Sequence, residues 1–225
     1  MSVKIPVITI DGPSGTGKGT IAAMLADYLS WHRLDSGAIY RLLAYRLEQQ
    51  HIDFNAEKKV IQEAKNLPVR FGLQREIWLD NHNVSHQIRE EHIGQLASQL
   101  GALPYVRKAL LKRQRDFRQS PGLVTDGRDM GTVVFPDATL KFYLTASAEV
   151  RSQRRYAQLK AQGICVNLAQ VFSELESRDA RDTSRKVSPL TPASDAILID
   201  TTTHSIVEVF NLVMHDLRKV LKNGN

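Results

Sequence analysis

Short apolar runs alternate along the chain with longer amphipathic segments. Val7-Ile8-Thr9-Ile10 reads as a buried strand. After a glycine-rich turn, Ile21, Met24, Leu25, Tyr28 and Leu29 recur at helical spacing. Residues 31–35 predict a second short strand. Ser36 is expected to cap the next helix, whose apolar stripe is Ile39, Leu42, Leu43 and Leu47. The texture changes between about 50 and 100. Val69, Phe71 and Leu73 alternate, as do Ile77 and Leu79, and Asp80-Asn81-His82-Asn83 is a turn cluster. That stretch predicts a small antiparallel subdomain inserted into an α/β core. Helical patterns return over 90–100 and 104–118. Leu123-Val124-Thr125 predicts a strand ending at Asp126, and residues 139–145 predict another. A basic helix over 147–162 and a further helix over 168–180 follow. Residues 196–199 form the last expected strand. Thr203 is expected to cap a C-terminal helix with Ile206, Val209, Phe210, Val213 and Leu217 on one face. Strands separated by helices predict a parallel sheet covered on both sides.

Composition narrows the class. At 225 residues the chain fits one core with insertions. Its 42% hydrophobic and 24% charged content is globular and argues against disorder. Cys165 stands alone, so no intramolecular disulfide is possible and a reducing compartment fits; a small core residue is the expected role. No apolar run approaches the roughly 20 residues of a membrane span. Residues 5–10 are mostly apolar, but Asp11 follows at once, which does not suit a signal peptide. The expectation is a soluble cytoplasmic protein. A net charge of +6 favours anionic partners without separating a nucleic acid from a small phosphate compound. The placement of the arginines has to decide that.

Gly12-Pro13-Ser14-Gly15-Thr16-Gly17-Lys18-Gly19-Thr20 lies between a predicted strand and a predicted helix, the context of a phosphate-binding P-loop. Glycines let consecutive backbone N–H groups turn inward around phosphate oxygens, and the helix N-terminus adds partial positive charge. Lys18 can reach the β and γ phosphates of ATP, and Thr20 lies near a Mg²⁺ position. The residue after the lysine is Gly19, with the hydroxyl one place later. This Gly-Lys-Gly-Thr variant resembles nucleoside monophosphate kinases rather than GTPases or motor ATPases, and the Asn-Lys-x-Asp base-reading motif of GTPases is missing.

Three further segments are candidates for anion binding. Asp35-Ser36-Gly37-Ala38-Ile39-Tyr40-Arg41 sets a hydroxyl and an arginine five residues apart at a helix start. Asp126-Gly127-Arg128-Asp129-Met130-Gly131-Thr132 follows a buried strand, where ligands of doubly wound sheets sit. An Arg-Asp pair there can bind phosphate with one residue and a base amino group with the other; a surface turn closed by an ion pair is the plainer alternative. From Arg178 to Lys186, four cations and two carboxylates interleave in nine residues. That mixture suits combined hydroxyl and phosphate recognition, or a solvated helix end. Arg151, Arg154 and Arg155 could close over ATP as a lid or form a charged face.

With those motifs in hand, the chain resembles the bacterial cytidylate kinases nearly end to end. The matching pieces are residues 10–20, Leu34 to Arg41, Asp126 to Thr132 with Val133-Val134-Phe135-Pro136, and the block from Arg178 to Arg185. The Gly-Arg-Asp-Met-Gly-Thr stretch and the β-rich insertion are far more specific than the P-loop. The resemblance implies one P-loop NTPase-type kinase domain over 1–225, a three-layer α/β fold with a five-stranded parallel sheet. It also implies a β-containing monophosphate-binding insertion near 38–100 and a short lid near 150–187. Ser36, Arg41 and Arg128 would hold the acceptor phosphate, and Ser98, Arg107 and Asp129 would read cytosine. Arg178 and Asp182 would bind the sugar hydroxyls, with Arg185 reaching toward the phosphates. Lys18, Arg128 and Arg185 would serve catalysis.

The implied reaction passes the γ-phosphoryl group of Mg·ATP to CMP, and to dCMP, within pyrimidine nucleotide metabolism. Because water would compete as acceptor, closure of the lid and the insertion is expected. Small-molecule substrates, no nucleic acid, no membrane and a monomer complete the expectation. Other monophosphate kinases, acting on UMP, AMP or dTMP, remain open at this point. A shikimate-type kinase fits the large insertion and the arginine blocks less well. An ATP-gated nucleic-acid-binding module would draw on Arg107, Lys108, Lys112, Arg113, Arg115 and Arg118. That run reads more simply as a basic outer helix face, and aromatics barely interleave with it. His82, His86 and His92 invite a metal reading, but no cysteine or tight carboxylate set completes a site.

Overall fold

The computed structural model describes residues 4–71, 76–161 and 163–223. The chain divides into two compact units, Met1–Leu34 with Phe117–Asn225, and Asp35–Asp116.

The first unit is α/β. Its strands are β1 (Val7–Asp11), β2 (His32–Asp35, whose last residue opens the second unit), β6 (Leu123–Gly127), β7 (Leu140–Thr145) and β8 (Ile197–Asp200). They form one sheet in the order β2-β6-β1-β7-β8, with β1/β6, β1/β7 and β7/β8 parallel. The register pairs Ile8 with Val124 and Leu140, and Ile10 with Asp126 and Phe142. Successive side chains on a strand point to opposite faces. One face is therefore apolar: Ile8, Ile10, Val124, Leu140, Phe142 and Leu144 pack on Ile21 and Leu25 of α1 (Lys18–Leu29) and on Val209, Val213 and Leu217 of α8 (Ile206–Asn223). The other face is buried too, and beside Val7 and Leu123 it carries polar side chains. Thr9, Asp11, Thr125 and Lys141 are all nearly inaccessible there. Over β1 and β6 packs a π-helical turn, Met130–Val134, that no hydrophobic periodicity announces. α6 (Ala148–Ala161) and α7 (Leu168–Thr183) pair around a small cluster of Leu159, Val171 and Leu175.

The second unit holds α2 (Ser36–Gln49), α3 (Glu57–Asn66), α4 (Glu91–Ala102), α5 (Pro104–Arg115) and a three-stranded sheet of β3 (Val69–Phe71), β4 (Ile77–Leu79) and β5 (His82–Asn83). Both strand pairs are antiparallel. Asp80 and Asn81 turn the β4–β5 hairpin with positive φ, which short polar side chains tolerate. The expected turn cluster thus shrinks to two residues, since His82 and Asn83 pair with β4. The expected alternation through Leu73 falls partly outside the described residues. The stripe of α2 is fully buried, and at about 1.5–3 kcal/mol per large apolar side chain it supplies much of this unit's cohesion. α5 packs on α3 and α4, so this unit reaches Asp116.

Four local expectations are corrected. Asp35, not Ser36, caps α2: its Oδ1 accepts from Ala38 N at 3.0 Å, and Ser36 is already helical. Ser205 rather than Thr203 caps α8. Its Oγ accepts from Glu208 N at 3.3 Å while Glu208 Oε2 accepts from Ser205 N at 2.7 Å, a reciprocal capping box. The basic face of α5 is not wholly outward, because Arg107 is buried. Cys165 is exposed rather than in the core, since it lies on the connection between α6 and α7. No helix among the described residues is long and apolar enough to cross a membrane.

Candidate functional site

β1 runs straight into the loop Gly12–Gly17, and α1 begins at Lys18. Gly12 has φ +145°, and a Cβ there would lie 2.1 Å from the Leu144 carbonyl oxygen, so only glycine allows the loop to leave the strand this way. Gly15 and Gly17 also have positive φ, which turns amides inward as an anion nest requires. Gly17 caps α1 without a side chain, and Thr20 N donates back to the Gly17 carbonyl at 3.0 Å. The loop is braced from within: Thr16 Oγ1 donates to Pro13 O at 3.1 Å, and Lys18 Nζ donates to the same oxygen at 3.0 Å. Thr20 is exposed one turn into the helix. The Asp126 carboxylate comes to 3.5 Å from where a Gly19 Cβ would stand, and Arg33 Nη2 donates to it at 3.3 Å.

The first unit gathers residues far apart in sequence. Arg128 Nη2 donates to Ser14 Oγ at 2.7 Å, and its Nε donates to Asp182 Oδ2 at 2.7 Å. Arg185 Nη2 donates to the other oxygen of Asp182. Asp182 is 1% exposed. Burial alone would raise its pKa, but Arg128, Arg185 and Arg178 together hold it below the ordinary carboxylate range. Burial would also lower the pKa of Arg128, and the charge and hydrogen bond of Asp182 together with the charges of Asp179 and Asp126 more than reverse that. Ser14, Arg128, Asp182 and Arg185, read separately from three motifs, are therefore one ion-paired cluster beside the phosphate loop. Asp129 is buried next to it in sequence.

The two arginines assigned to ATP lie differently. Arg154 donates to Thr201 Oγ1 at 3.0 Å and to Thr201 O at 2.6 Å, and Arg155 donates to Gln158 Oε1 at 3.0 Å on its own helix. Arg151 is not a free lid cation. It is buried, donates to Ser14 O at 3.3 Å and to Ala146 O at 3.0 Å, and pairs with Asp179.

In the second unit, Ser36 Oγ donates to Gln114 Oε1 at 2.8 Å, with both residues buried. Arg41 donates to Ile88 O at 2.8 Å and Glu90 O at 3.2 Å, passing so close to Gly94 that a Cβ there would meet its guanidinium at 2.5 Å. Arg107 donates to Gly101 O at 3.0 Å, and its guanidinium stands 5.7 Å from the Tyr40 ring centroid. Among the described residues the buried Ser98 Oγ has no hydrogen-bond partner, as is also true of the hydroxyls of Thr9, Thr125 and Thr132.

Sequence reasoning named Asp11, Asp126 and Tyr40 within motifs without giving them a role, and did not name Gln114. Asp11 ends β1 and Asp126 stands one residue before the end of β6, a readable signal at the ligand-facing end of the sheet. Gln114 and Tyr40 sit in ordinary helical patterns and carried none. No group of three or more His, Cys, Asp or Glu side chains among the described residues is placed to hold a metal ion; His92 instead contacts Glu48 and Glu90.

Against known proteins, the cytidylate kinase family model matches residues 8–219. The chain is 55% identical over 218 residues to a cytidylate kinase of Stutzerimonas stutzeri (strain A1501), covering 95% of each chain. It is 50% identical over 224 residues to a cytidylate kinase of Pectobacterium carotovorum subsp. carotovorum (strain PC1), covering 98% of this chain and all of the relative. Among solved structures, a gluconokinase from Sinorhizobium meliloti 1021 superposes with a TM-score of 0.53 over 98% of this chain and 95% of the other, at 12% identity, a likeness of fold alone. With the family model spanning nearly every element described above, this chain belongs to the cytidylate kinase family.

Proposed function

We propose that the protein transfers the γ-phosphoryl group of Mg·ATP to CMP, and to dCMP, giving ADP and CDP or dCDP. The observation that carries this reading is the cluster of Ser14, Arg128, Asp182 and Arg185, which joins three separate family motifs beside the phosphate loop. In the transfer, a bond forms between an acceptor phosphate oxygen and the γ-phosphorus. The bond from that phosphorus to the β–γ bridging oxygen breaks, and its electron pair leaves with ADP. The acceptor needs no strong general base, because a phosphate monoester has a second pKa of about 6. What the protein must supply is alignment of two anions and spreading of the developing charge.

The roles divide by unit. The loop Gly12–Thr20 cradles the ATP phosphates with its amides. Lys18 exchanges the Pro13 carbonyl for a phosphate oxygen, and Thr20 would hold the Mg²⁺ that accompanies ATP. Arg128 and Arg185 bind phosphate oxygens through their rigid guanidinium forks. Asp129 accepts from the base amino group, and Arg178 and Asp182 address the sugar hydroxyls. Arg154 and Arg155 serve ATP within a lid near 150–187. From the second unit, which we assign as the monophosphate-binding insertion, Ser36 and Arg41 hold the acceptor phosphate while Ser98 and Arg107 read the cytosine. The unsatisfied Ser98 hydroxyl supports a site built to hydrogen-bond one base, and such a site rejects analogues by roughly 10⁴-fold or more. The monomer and cytoplasmic location belong to the same proposal.

A coupled assay of ADP release across CMP, dCMP, UMP, AMP and dTMP tests the reading. CMP and dCMP should be the best acceptors by kcat/KM. A higher value for UMP, AMP or dTMP, or no turnover with any of them, would overturn it.

A further inference from the structure

The last residue of β1, directly before the phosphate loop, is a buried carboxylate that the proposed chemistry does not use. Asp11 is 5% exposed. Its Oδ1 accepts from Met130 N at 2.9 Å and its Oδ2 from Gly131 N at 2.8 Å. Those two amides open the π-helical turn and follow Arg128 and Asp129 without a gap. The approach depends on Gly131, where a Cβ would stand 2.9 Å from Thr9 Oγ1 and 3.4 Å from Asp11 Oδ2. A second tether starts three residues further along the loop, where Ser14 Oγ accepts from Arg128 at 2.7 Å. The segment carrying Arg128 and Asp129 is therefore clasped at two points, and both clasps spring from the strand and loop assigned to ATP.

The geometry points to Asp11 as a positioning residue that fixes the Arg128-Asp129 segment in register with the phosphate loop, and so sets acceptor affinity rather than ATP affinity. The inference rests on the acceptor roles proposed for Arg128 and Asp129. Both lone-pair acceptors of the carboxylate are needed. An asparagine in the same place keeps one oxygen and turns an amide N–H toward a backbone N–H, so one of the two bonds is lost. The fold itself should tolerate that change. Burial, with Asp129 close by, already disfavours the charge on Asp11 against the pull of the two amides and Lys18.

The test is steady-state kinetics of Asp11→Asn, with CMP varied at saturating Mg·ATP and then the reverse, alongside circular dichroism. The KM for CMP should rise at least tenfold while the KM for ATP changes less than threefold. A CMP KM within twofold of the parent in a folded variant overturns the inference, as does an equal rise in both constants. If the parent itself turns over CMP normally, such a result leaves the proposed activity standing and removes only the role of Asp11. A second measurement needs no variant. Coupling between sites is reciprocal, so CMP binding to the parent should slow hydrogen exchange of the Met130 and Gly131 amides at least tenfold. Unchanged exchange at saturating CMP would equally rule the clasp out.

Discussion

Replacing Asp182 by asparagine isolates the cluster on which the proposed function rests. The side chains of Asp182, Arg128 and Arg185 are 2%, 14% and 6% exposed, so the three charges meet away from solvent. Asparagine keeps the shape and one acceptor oxygen, but its amide faces a guanidinium that also only donates. One charge-assisted bond is worth about 1.5–3 kcal/mol. Breaking a buried pair outright costs about 3–5 kcal/mol, because the surviving cation stays desolvated. A loss of roughly 3 kcal/mol is therefore expected. At about 2–4 °C per kcal/mol for a chain of this size, the melting temperature should fall by roughly 6–12 °C. Buried pairs are screened little, so calorimetry at low and high salt should give the same drop. Turnover should fall roughly 10–100-fold as Arg128 and Arg185 lose their anchor. The sign with pH also follows. The folded pKa of Asp182 is lowered, so its contribution is present above the ordinary carboxylate value and vanishes as pH falls through the folded one. The gap between parent and variant must narrow in acid. A melting point within about 2 °C of the parent, with turnover within twofold, would refute the assignment of this cluster.

Three other outcomes are expected. Ser98→Ala removes a buried hydroxyl that has no partner, so stability should hold or rise by about 1 kcal/mol while the KM for CMP rises roughly threefold to tenfold; a destabilised variant with an unchanged KM would contradict the ligand role. Lys18→Ala should cut turnover about 10²–10³-fold with an unaltered circular dichroism spectrum, and near-normal turnover would sink the P-loop assignment. Burial pushes Asp11 up from 3.8 to about 6, helped by Asp129 and opposed by the Gly131 and Met130 amides. A raised folded pKa gives stability that is full below the unfolded value and lost as pH rises through 6. Urea unfolding should therefore show the parent losing roughly 2–2.5 kcal/mol relative to Asp11→Asn between pH 4 and pH 7, and parallel curves would show that Asp11 carries no such shift.

Much of the protein was legible before any coordinates. The β1–loop–α1 unit could be read because strand period, glycine spacing and helical period all change within fifteen residues or so and agree with one another. The apolar stripe of α2 and the alternation of Ile77 and Leu79 fixed those elements for the same reason. Less visible were features that no period encodes. The sequence predicts a sheet covered on both sides but does not say which buried partners Thr9, Asp11, Thr125 and Lys141 meet. The π-helical turn Met130–Val134 reads as part of a loop. Asp35 took the capping role from Ser36 because its carboxylate reaches Ala38 N, which freed the Ser36 hydroxyl for Gln114.

By itself, then, the sequence determined the strands of the parallel sheet, most of the helices though not α3, the phosphate loop and the family, because these rest on local periodicity and contiguous motifs. Only the tertiary structure decided that Arg128 joins Asp182, Arg185 and Ser14 in one hydrogen-bonded cluster, that Arg151 is buried against Asp179, and that Asp11 clasps the turn after Arg128-Asp129. Partners as far apart as Ser14 and Arg128, or Arg128 and Asp182, are joined through the parallel sheet and α7. A buried charge is stable only where such partners arrive together, and the one-dimensional pattern does not carry their distance in space.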